Sequence, residues 1–98
     1  LNTFFFPCEN ICDSILVTAR KPGDRYRPAG RGCSKGLKAV FEELDIPPWE
    51  RGSVPVLRDG RGVLAVYGAP PDERAMAKPG DRNVWQIEFI RRRPEGKG

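Results

Sequence analysis

The residues of this chain that could do chemistry are concentrated between Arg20 and Lys38. This stretch holds seven basic residues and one acid, Asp24, and therefore carries a net charge of +6. The whole chain carries only +4, so the remaining residues are together slightly acidic. Lysine and arginine at this density bind phosphate oxygens, and their concentration in one stretch indicates a specific anionic partner.

Groups for bond-making catalysis are scarce. The chain has no histidine, which is the commonest general base and metal ligand. Its cysteines, Cys8, Cys12 and Cys33, are too few for a disulfide framework and are expected to be reduced; a zinc site would need ligands from another chain. We predict no catalytic residue, no metal ligand and no cofactor site in this chain. One alternative stays open, in which the Cys33 thiol acts as a nucleophile activated by nearby cations and a helix start.

Short elements must position the cations. Ser14–Ala19 is rich in β-branched residues and predicts a short, largely buried strand that leads to Arg20. Lys21–Asp24 has the sequence of a type II turn, and Asp24 is expected to order Arg25 or to cap that turn.

The safest prediction is a helix that begins after Ser34 as its N-cap. Apolar residues then follow at helical spacing, at Leu37, Val40, Phe41 and Leu44. Lys35 and Lys38 oppose the helix dipole, which suggests an anion bound at free N–H groups of the first turn; a solvated lysine face is the alternative.

The second half of the chain is expected to form the elements that hold the cationic stretch in place. Two prolines at Pro47 and Pro48 end the helix, and we expect Trp49 to lie in the core rather than to stack on a base. Val54–Leu57 and Val63–Tyr67 predict a hairpin about an Asp-Gly turn, with Pro55 at an edge or a bulge.

The two ends of the chain are also predicted to contribute strands. These are Phe4–Phe6 and the alternating segment Val84–Ile90. Residues 78–82, Lys-Pro-Gly-Asp-Arg, repeat residues 21–25, which we interpret as shared turn chemistry rather than duplication.

Length and composition bound the fold class. With 98 residues, 39% of them hydrophobic, and with 10 prolines and 11 glycines, residues 1–98 are expected to form a single α+β domain. Its short strands, mixed or antiparallel, would pack with one main amphipathic helix, and residues 91–98 would be a frayed tail. No apolar run is long enough to span a bilayer, so a cytoplasmic location and no membrane partner are expected.

An ordered set of short motifs resembles the C-terminal domain of tRNA(Ile)-lysidine synthetase. The match is strongest over residues 20–68. It consists of Arg20–Arg25, Pro28-x-Gly30, Leu37-Lys38, Ile46–Trp49 with Arg51, Val54–Val56 and Val66–Gly68. The resemblance implies the fold of that domain, which is related to a domain of the phenylalanyl-tRNA synthetase β subunit.

The resemblance also implies a function. In that family an ATP-dependent ligase converts the wobble cytidine of an isoleucine tRNA to lysidine, and the C-terminal domain serves tRNA recognition at the acceptor-stem region. ATP, Mg²⁺ and lysine would be used by a catalytic domain, whose Ser-Gly-Gly-x-Asp-Ser loop is not present in these 98 residues. The expected partners are therefore tRNA and that catalytic domain, with a homodimer left open.

The resemblance and the charge pattern together give the candidate residues. The tRNA-binding candidates are Arg20, Arg25, Arg27, Arg31, Lys35, Lys38 and Arg51. The structural motif residues are Gly23, Asp24, Gly30, Leu37, Pro47 and Trp49. The alternative is a protein-interaction domain without an RNA role, for which Phe4–Phe6 and the Trp85 strand would supply apolar surface.

Overall fold

The computed structural model of the chain describes residues 2–11 and 14–90. Within these ranges, seven short strands and one α-helix follow in order. They are β1 (Thr3–Pro7), β2 (Leu16–Thr18), β3 (Arg25–Tyr26), β4 (Lys35–Gly36), α1 (Leu37–Glu43), β5 (Val56–Asp59), β6 (Gly62–Val66) and β7 (Val84–Glu88). Segments of 3-10 helix lie at Cys8–Asn10, Pro48–Ser53 and Glu73–Ala75. The predicted tail at 91–98 and Cys12 lie outside the described residues.

The strands pair in antiparallel sheets. Strand β5 is the centre of a three-stranded sheet, with β2 on one side and β6 on the other. Strand β1 pairs with β7 along five residue pairs. Strands β3 and β4 pair over two residues and enclose the loop between them. The predicted α+β fold of short antiparallel strands with one main helix is confirmed.

The β5–β6 hairpin is the centre of the molecule, because both of its faces are buried. Val56 and Val66 pack in one apolar cluster with Phe41 of α1. Leu57 packs in a second cluster with Phe6 of β1. The helix and the β1–β7 pair therefore cover opposite faces of the hairpin, which gives three layers.

A bulge in β6 lets two successive residues reach the second cluster. Leu57 pairs with Ala65, but the next residue, Arg58, pairs with Val63, so Leu64 is the extra residue. Leu64 and Ala65 are both fully buried in the cluster with Phe4 and Phe6.

The predicted hairpin is confirmed, but Pro55 was placed wrongly. It lies just before β5, which is a central strand, and not at an edge or a bulge. Proline has no N–H to donate to the ladder, and the start of a strand is one of the positions where that loss is tolerated. Pro55 still contributes its carbonyl, which accepts a hydrogen bond from the N–H of Tyr67 at 3.3 Å.

The helix begins later than predicted. Its N-cap is Gly36, not Ser34, because residues 35 and 36 are taken up by strand β4. The Ser34 hydroxyl instead accepts a hydrogen bond from Nε of Arg25 at 3.3 Å. The predicted apolar face is confirmed, since Leu37, Val40 and Phe41 are buried.

The helix also ends before the prolines. Asp45 adopts a positive φ of 58°, and the N–H of Ile46 donates to the carbonyl of Phe41 at 3.0 Å. This is the left-handed cap that commonly closes a helix. Pro47 then precedes the 3-10 segment Pro48–Ser53 as its N-cap residue.

Several apolar side chains are more exposed than predicted. Trp49, expected in the core, is 82% exposed, and Leu16 and Val17 of β2 are 56% and 64% exposed. Strand β2 is a three-residue edge strand paired only with β5, so nothing in the described part of the chain covers it. Trp85, one of the apolar residues that alternate along the predicted strand Val84–Ile90, is 53% exposed near the end of the β1–β7 pair.

Strand β1, in contrast, exposes less apolar surface than the protein-interaction alternative requires. Phe4 and Phe6 are buried and their rings stack with centroids 6.0 Å apart, which leaves only Phe5 exposed. The strand itself is confirmed. No helix within residues 2–11 and 14–90 is long and apolar enough to cross a membrane.

Candidate nucleic-acid interface

The cationic loop starts with a tight turn after β2. The N–H of Asp24 donates to the carbonyl of Lys21 at 3.1 Å, and Gly23 takes the positive φ of 80° that a type II turn requires. The Asp24 carboxylate accepts a hydrogen bond from the N–H of Lys21 at 2.7 Å. The predicted turn is confirmed, and so is its capping by Asp24.

Asp24 does not order Arg25, as the alternative prediction held, but pairs with Arg58. Both Nη atoms of Arg58 donate to the two carboxylate oxygens, at 3.0 and 2.7 Å. Nε of Arg58 also donates to the Thr18 hydroxyl at 2.8 Å. The two charged side chains are only 10% and 12% exposed. The hydrogen bond from Arg58 is the main cause that lowers the pKa of Asp24 below its ordinary value of 3.8.

This pairing decides the charge of the surface. The one acid between Arg20 and Lys38 is turned inward and neutralised by an arginine from β5. The basic residues of the same stretch remain at or near the surface. An anion that approaches the loop therefore meets cations without meeting the Asp24 carboxylate.

The loop after β3 is clamped to the segment that follows β6. The hydroxyl of Tyr26 donates to the carbonyl of Pro70 at 3.0 Å, and burial raises the pKa of this phenol to about 12. The N–H of Ala29 donates to the carbonyl of Pro71, and the Asp72 carboxylate accepts from the N–H of Arg27 at 3.0 Å. These bonds fix the backbone that carries the next cations.

The structural glycine Gly30 shapes the middle of the loop. The N–H of Arg31 donates to the carbonyl of Pro28 at 3.1 Å, and Gly30 supplies a φ of 84° at the third position of this turn. The turn projects Arg31 beside the end of α1, where its guanidinium pairs with Glu43 at 2.9 Å.

Three of the predicted cations have acidic partners at the surface. Nε of Arg27 pairs with Glu73 at 2.8 Å, and Glu43 pairs with both Lys35 and Arg31. The hydrogen bond from Lys35 and then that from Arg31 lower the pKa of Glu43. Ion pairs this exposed are weak in water, so a phosphate can compete for these cations.

The remaining loop cations are more open. Arg25 donates to the side chain and the carbonyl of Ser34 through long bonds of 3.3 and 3.4 Å and remains exposed. Arg20 and Lys38 are exposed, and their side chains have no hydrogen bond or ion pair with any other part of residues 2–11 and 14–90. Six predicted residues are thus distributed over β2 to α1.

Arg51 contacts other parts of the protein with its guanidinium group. Its Nε donates to the carbonyl of Ile46 at 2.9 Å, and its guanidinium carbon lies 6.0 Å from the ring centroid of Phe41. It therefore ties the 3-10 segment after α1 back to the helix. A contact between Arg51 and tRNA stays a prediction.

Two other sequence predictions for the loop have less support than expected. The helix has only seven residues, and its first N–H, that of Leu37, already donates to the carbonyl of Asp24 at 3.1 Å. Cys33 is exposed and lies before β4 rather than at the helix start, which removes half of the argument for a nucleophile. Within the described residues, no cluster of acids and cysteines could hold a metal.

Buried charges on β5 were missed by sequence reasoning. Besides Arg58, the side chain of Asp59 is fully buried and accepts hydrogen bonds from Arg74 at 2.7 and 3.1 Å. Asp59 also accepts from the N–H groups of the hairpin turn, at Arg61 and Gly62. The only sequence signal was two charges at the end of an apolar strand, which looks the same as an exposed turn.

Comparisons with known proteins assign the chain to a family. The relatives that the chain matches are much longer proteins, of which it spans about a sixth. Residues 15–89 match the family model for the TilS substrate C-terminal domain, so the chain belongs to that family.

The relatives and a solved structure agree with this assignment. The tRNA(Ile)-lysidine synthase of Symbiobacterium thermophilum is 37% identical over 84 residues, which are 86% of this chain and 17% of that protein. The synthase of Xanthomonas axonopodis pv. citri is 49% identical over 51 residues, 52% of this chain and 12% of that protein. A crystal structure of a TilS C-terminal domain superimposes with a TM-score of 0.75 at 25% identity and covers 92% of this chain and 72% of that one.

Proposed function

We propose that this domain binds tRNA on behalf of a tRNA(Ile)-lysidine synthase. The observation that carries the proposal is the separation of charge in the loop: the Asp24 carboxylate is buried against Arg58, while the cations of the same stretch face outward. Family membership supports it, because the relatives are named for a reaction on tRNA.

The binding mechanism is electrostatic. Arg20, Arg25 and Lys38 contact phosphates directly, while Arg27, Arg31 and Lys35 exchange their exposed carboxylate partners for phosphate oxygens. The deep groove of an A-form stem excludes side chains, so these contacts read the shape of the acceptor stem rather than its sequence. The domain positions the substrate and performs no bond-making step.

The reaction is assigned to the rest of a synthase. The chain spans about a sixth of the length of the relatives that it matches over most of its own length. In this proposal a catalytic domain in the cytoplasm uses ATP, Mg²⁺ and lysine as a ligase does, and the present domain delivers the isoleucine tRNA to it.

The repeated pentapeptide offers a matched test at Arg25 and Arg82. Both arginines are exposed and follow the same Lys-Pro-Gly-Asp turn. We expect Arg25→Ala to weaken tRNA binding and to reduce the slope of log K against log salt by about 1, because one phosphate contact is lost. Arg82→Ala should leave both unchanged. Equal effects of the two substitutions, measured by filter binding, would contradict an interface at the loop.

A further inference from the structure

Two cations of the loop, Arg31 and Lys35, bind the same carboxylate, that of Glu43. Nη2 of Arg31 lies 2.9 Å from Oε1 of Glu43, and Nζ of Lys35 donates to Oε2 of the same group. Each carboxylate oxygen therefore has its own cationic donor. Basic side chains bind two oxygens of a phosphate in the same way. The carboxylate thus marks a position between the two cations where an anion with two oxygens fits.

Three different elements bring these side chains together. Arg31 lies in the loop, where its N–H donates to the carbonyl of Pro28 at 3.1 Å. Lys35 is the first residue of β4 and pairs with Tyr26 of β3. Glu43 is the last residue of α1, which follows β4 directly. Because the backbone at both cations is hydrogen-bonded, an anion can bind between them with little ordering cost.

The shared carboxylate is accessible to an incoming anion. The side chains of Arg31 and Glu43 are 43% and 36% exposed, and that of Lys35 is 24% exposed. Ion pairs this exposed contribute little free energy in water, so a phosphate can displace the carboxylate. Glu73 differs, because in the described part of the chain it pairs with a single cation, Arg27. Glu43 therefore joins two cations into one unit, whereas Glu73 does not.

We propose that Arg31 and Lys35 form a single subsite for one phosphodiester of tRNA, and that the Glu43 carboxylate occupies this subsite until RNA displaces it. The inference rests on the proposed function and adds how the cations are divided among phosphates. If these two share one phosphate and the other four loop candidates take one each, the loop contacts about five phosphates. Displaced Glu43 then stands beside the RNA, so it limits the affinity.

Paired glutamine substitutions count the phosphates. They are made in a Glu43→Gln background, so that no unpaired carboxylate remains at the subsite. Arg31→Gln with Lys35→Gln should reduce the slope of log K for tRNA against log salt by about 1, because one phosphate contact is lost. Arg25→Gln with Lys38→Gln removes the same charge from two cations that share no acid within the described residues. This matched pair should reduce the slope by about 2.

The two pairs separate this inference from the proposed function. If the Arg31 and Lys35 pair reduces the slope by about 2, or leaves it unchanged, while the Arg25 and Lys38 pair reduces it by about 2, the shared subsite is refuted and tRNA binding by the loop stands. Unchanged slopes for both pairs would refute tRNA binding by the loop, and the subsite with it.

A second comparison tests whether Glu43 competes with phosphate. Glu43→Gln should strengthen tRNA binding about threefold, because no ion pair has to be broken. The control is its neighbour Glu42, which is exposed and has no ion pair within residues 2–11 and 14–90. Glu42→Gln changes the net charge equally but should strengthen binding less than about 1.5-fold at physiological salt, where distant charges are screened. Equal gains, or weaker binding by Glu43→Gln, would overturn the displacement of Glu43 by RNA.

Discussion

At the scale of single residues, the Asp24 carboxylate accepts hydrogen bonds from the backbone of Lys21 and from the guanidinium of Arg58. The turn at residues 78–82 has the backbone contact but not the contact with an arginine in the part of the chain that the structure describes. Asp81 accepts from the N–H of Lys78 at 2.6 Å and has no ion pair within the described residues. The two aspartates therefore separate turn capping from charge pairing.

Asp24→Asn should destabilise the fold much more than Asp81→Asn. Asparagine keeps an oxygen for the turn, but at position 24 it leaves the largely buried Arg58 guanidinium without its counterion. We expect a loss of about 3 kcal/mol in the free energy of unfolding, against less than about 1 kcal/mol for Asp81→Asn. Urea denaturation at neutral pH measures both, and similar losses would show that the ion pair contributes nothing beyond the turn.

The same pair predicts a dependence on pH. The pKa of Asp24 is lowered in the folded state, so its contribution is present above the unfolded pKa and is lost as the pH falls through the folded one. The stability difference between the wild-type chain and Asp24→Asn should therefore shrink as the pH is lowered below 3.8. A difference that stayed constant in urea titrations down to about pH 2 would argue against the pair.

Trp49 provides a test of the corrected packing. Trp49→Ala should change the free energy of unfolding by less than about 1 kcal/mol, because the side chain is 82% exposed. Phe41→Ala removes a fully buried ring and should cost about 3–5 kcal/mol. Urea denaturation followed by circular dichroism measures the free energy of unfolding of both variants. Comparable losses would show that Trp49 is buried in the core.

At the scale of elements, the repeated pentapeptide forms the same turn twice. In each copy the aspartate N–H donates to the lysine carbonyl at 3.1 Å, and the glycine has a positive φ, 80° at Gly23 and 96° at Gly80. The flanking elements differ, since the first turn follows β2 and the second precedes β7. Shared turn chemistry accounts for the identity of sequence.

Alanine at either turn glycine should destabilise the fold by about 1 kcal/mol, because an alanine disfavours positive φ. There is space for the methyl group at Gly23, Gly80 and the control position Gly52, and only Gly52 lacks a positive φ. Gly52→Ala should therefore be neutral or slightly stabilising. Thermal melts of the three variants distinguish backbone strain from steric contact, and a loss at Gly52 equal to the others would reject the turn geometry.

Elements with local sequence signals were predicted well. The spacing of Leu37, Val40 and Phe41 identified the buried face of α1, and the Asp-Gly dipeptide identified the β5–β6 hairpin. Ser34 was misjudged as the N-cap because a two-residue pairing of β4 with β3 delays the helix, and such a short ladder has no periodicity to detect.

Tertiary pairing could not be predicted. Arg58 and Asp24 are 34 positions apart, and nothing in the sequence relates them. The exposure of Trp49 was missed because a tryptophan that follows two prolines usually indicates burial, whereas here its turn is held by Arg51 while its own ring faces solvent. The candidate cations could be recognised as a group from their density in the sequence. Their individual acidic partners could not, because those partners lie outside the cationic stretch of the sequence.

At the scale of the whole molecule, charge and apolar surface are separated. The loop from Arg20 to Lys38 carries a net charge of +6, and its acid is internal. A groove lined by Ile46, Tyr67 and Phe89 is mostly apolar among the described residues and lies outside that loop. The cationic loop is thus the surface suited to hold a polyanion.

The central claim is that the cationic loop binds tRNA through phosphates, and its most direct test is the salt dependence of binding. If about five phosphates are neutralised, log K for an isoleucine tRNA against log salt should be linear with a slope of roughly −4. Titrations of the 98-residue chain at several concentrations of KCl measure that slope. A slope near zero, or no binding at low salt, would contradict the claim.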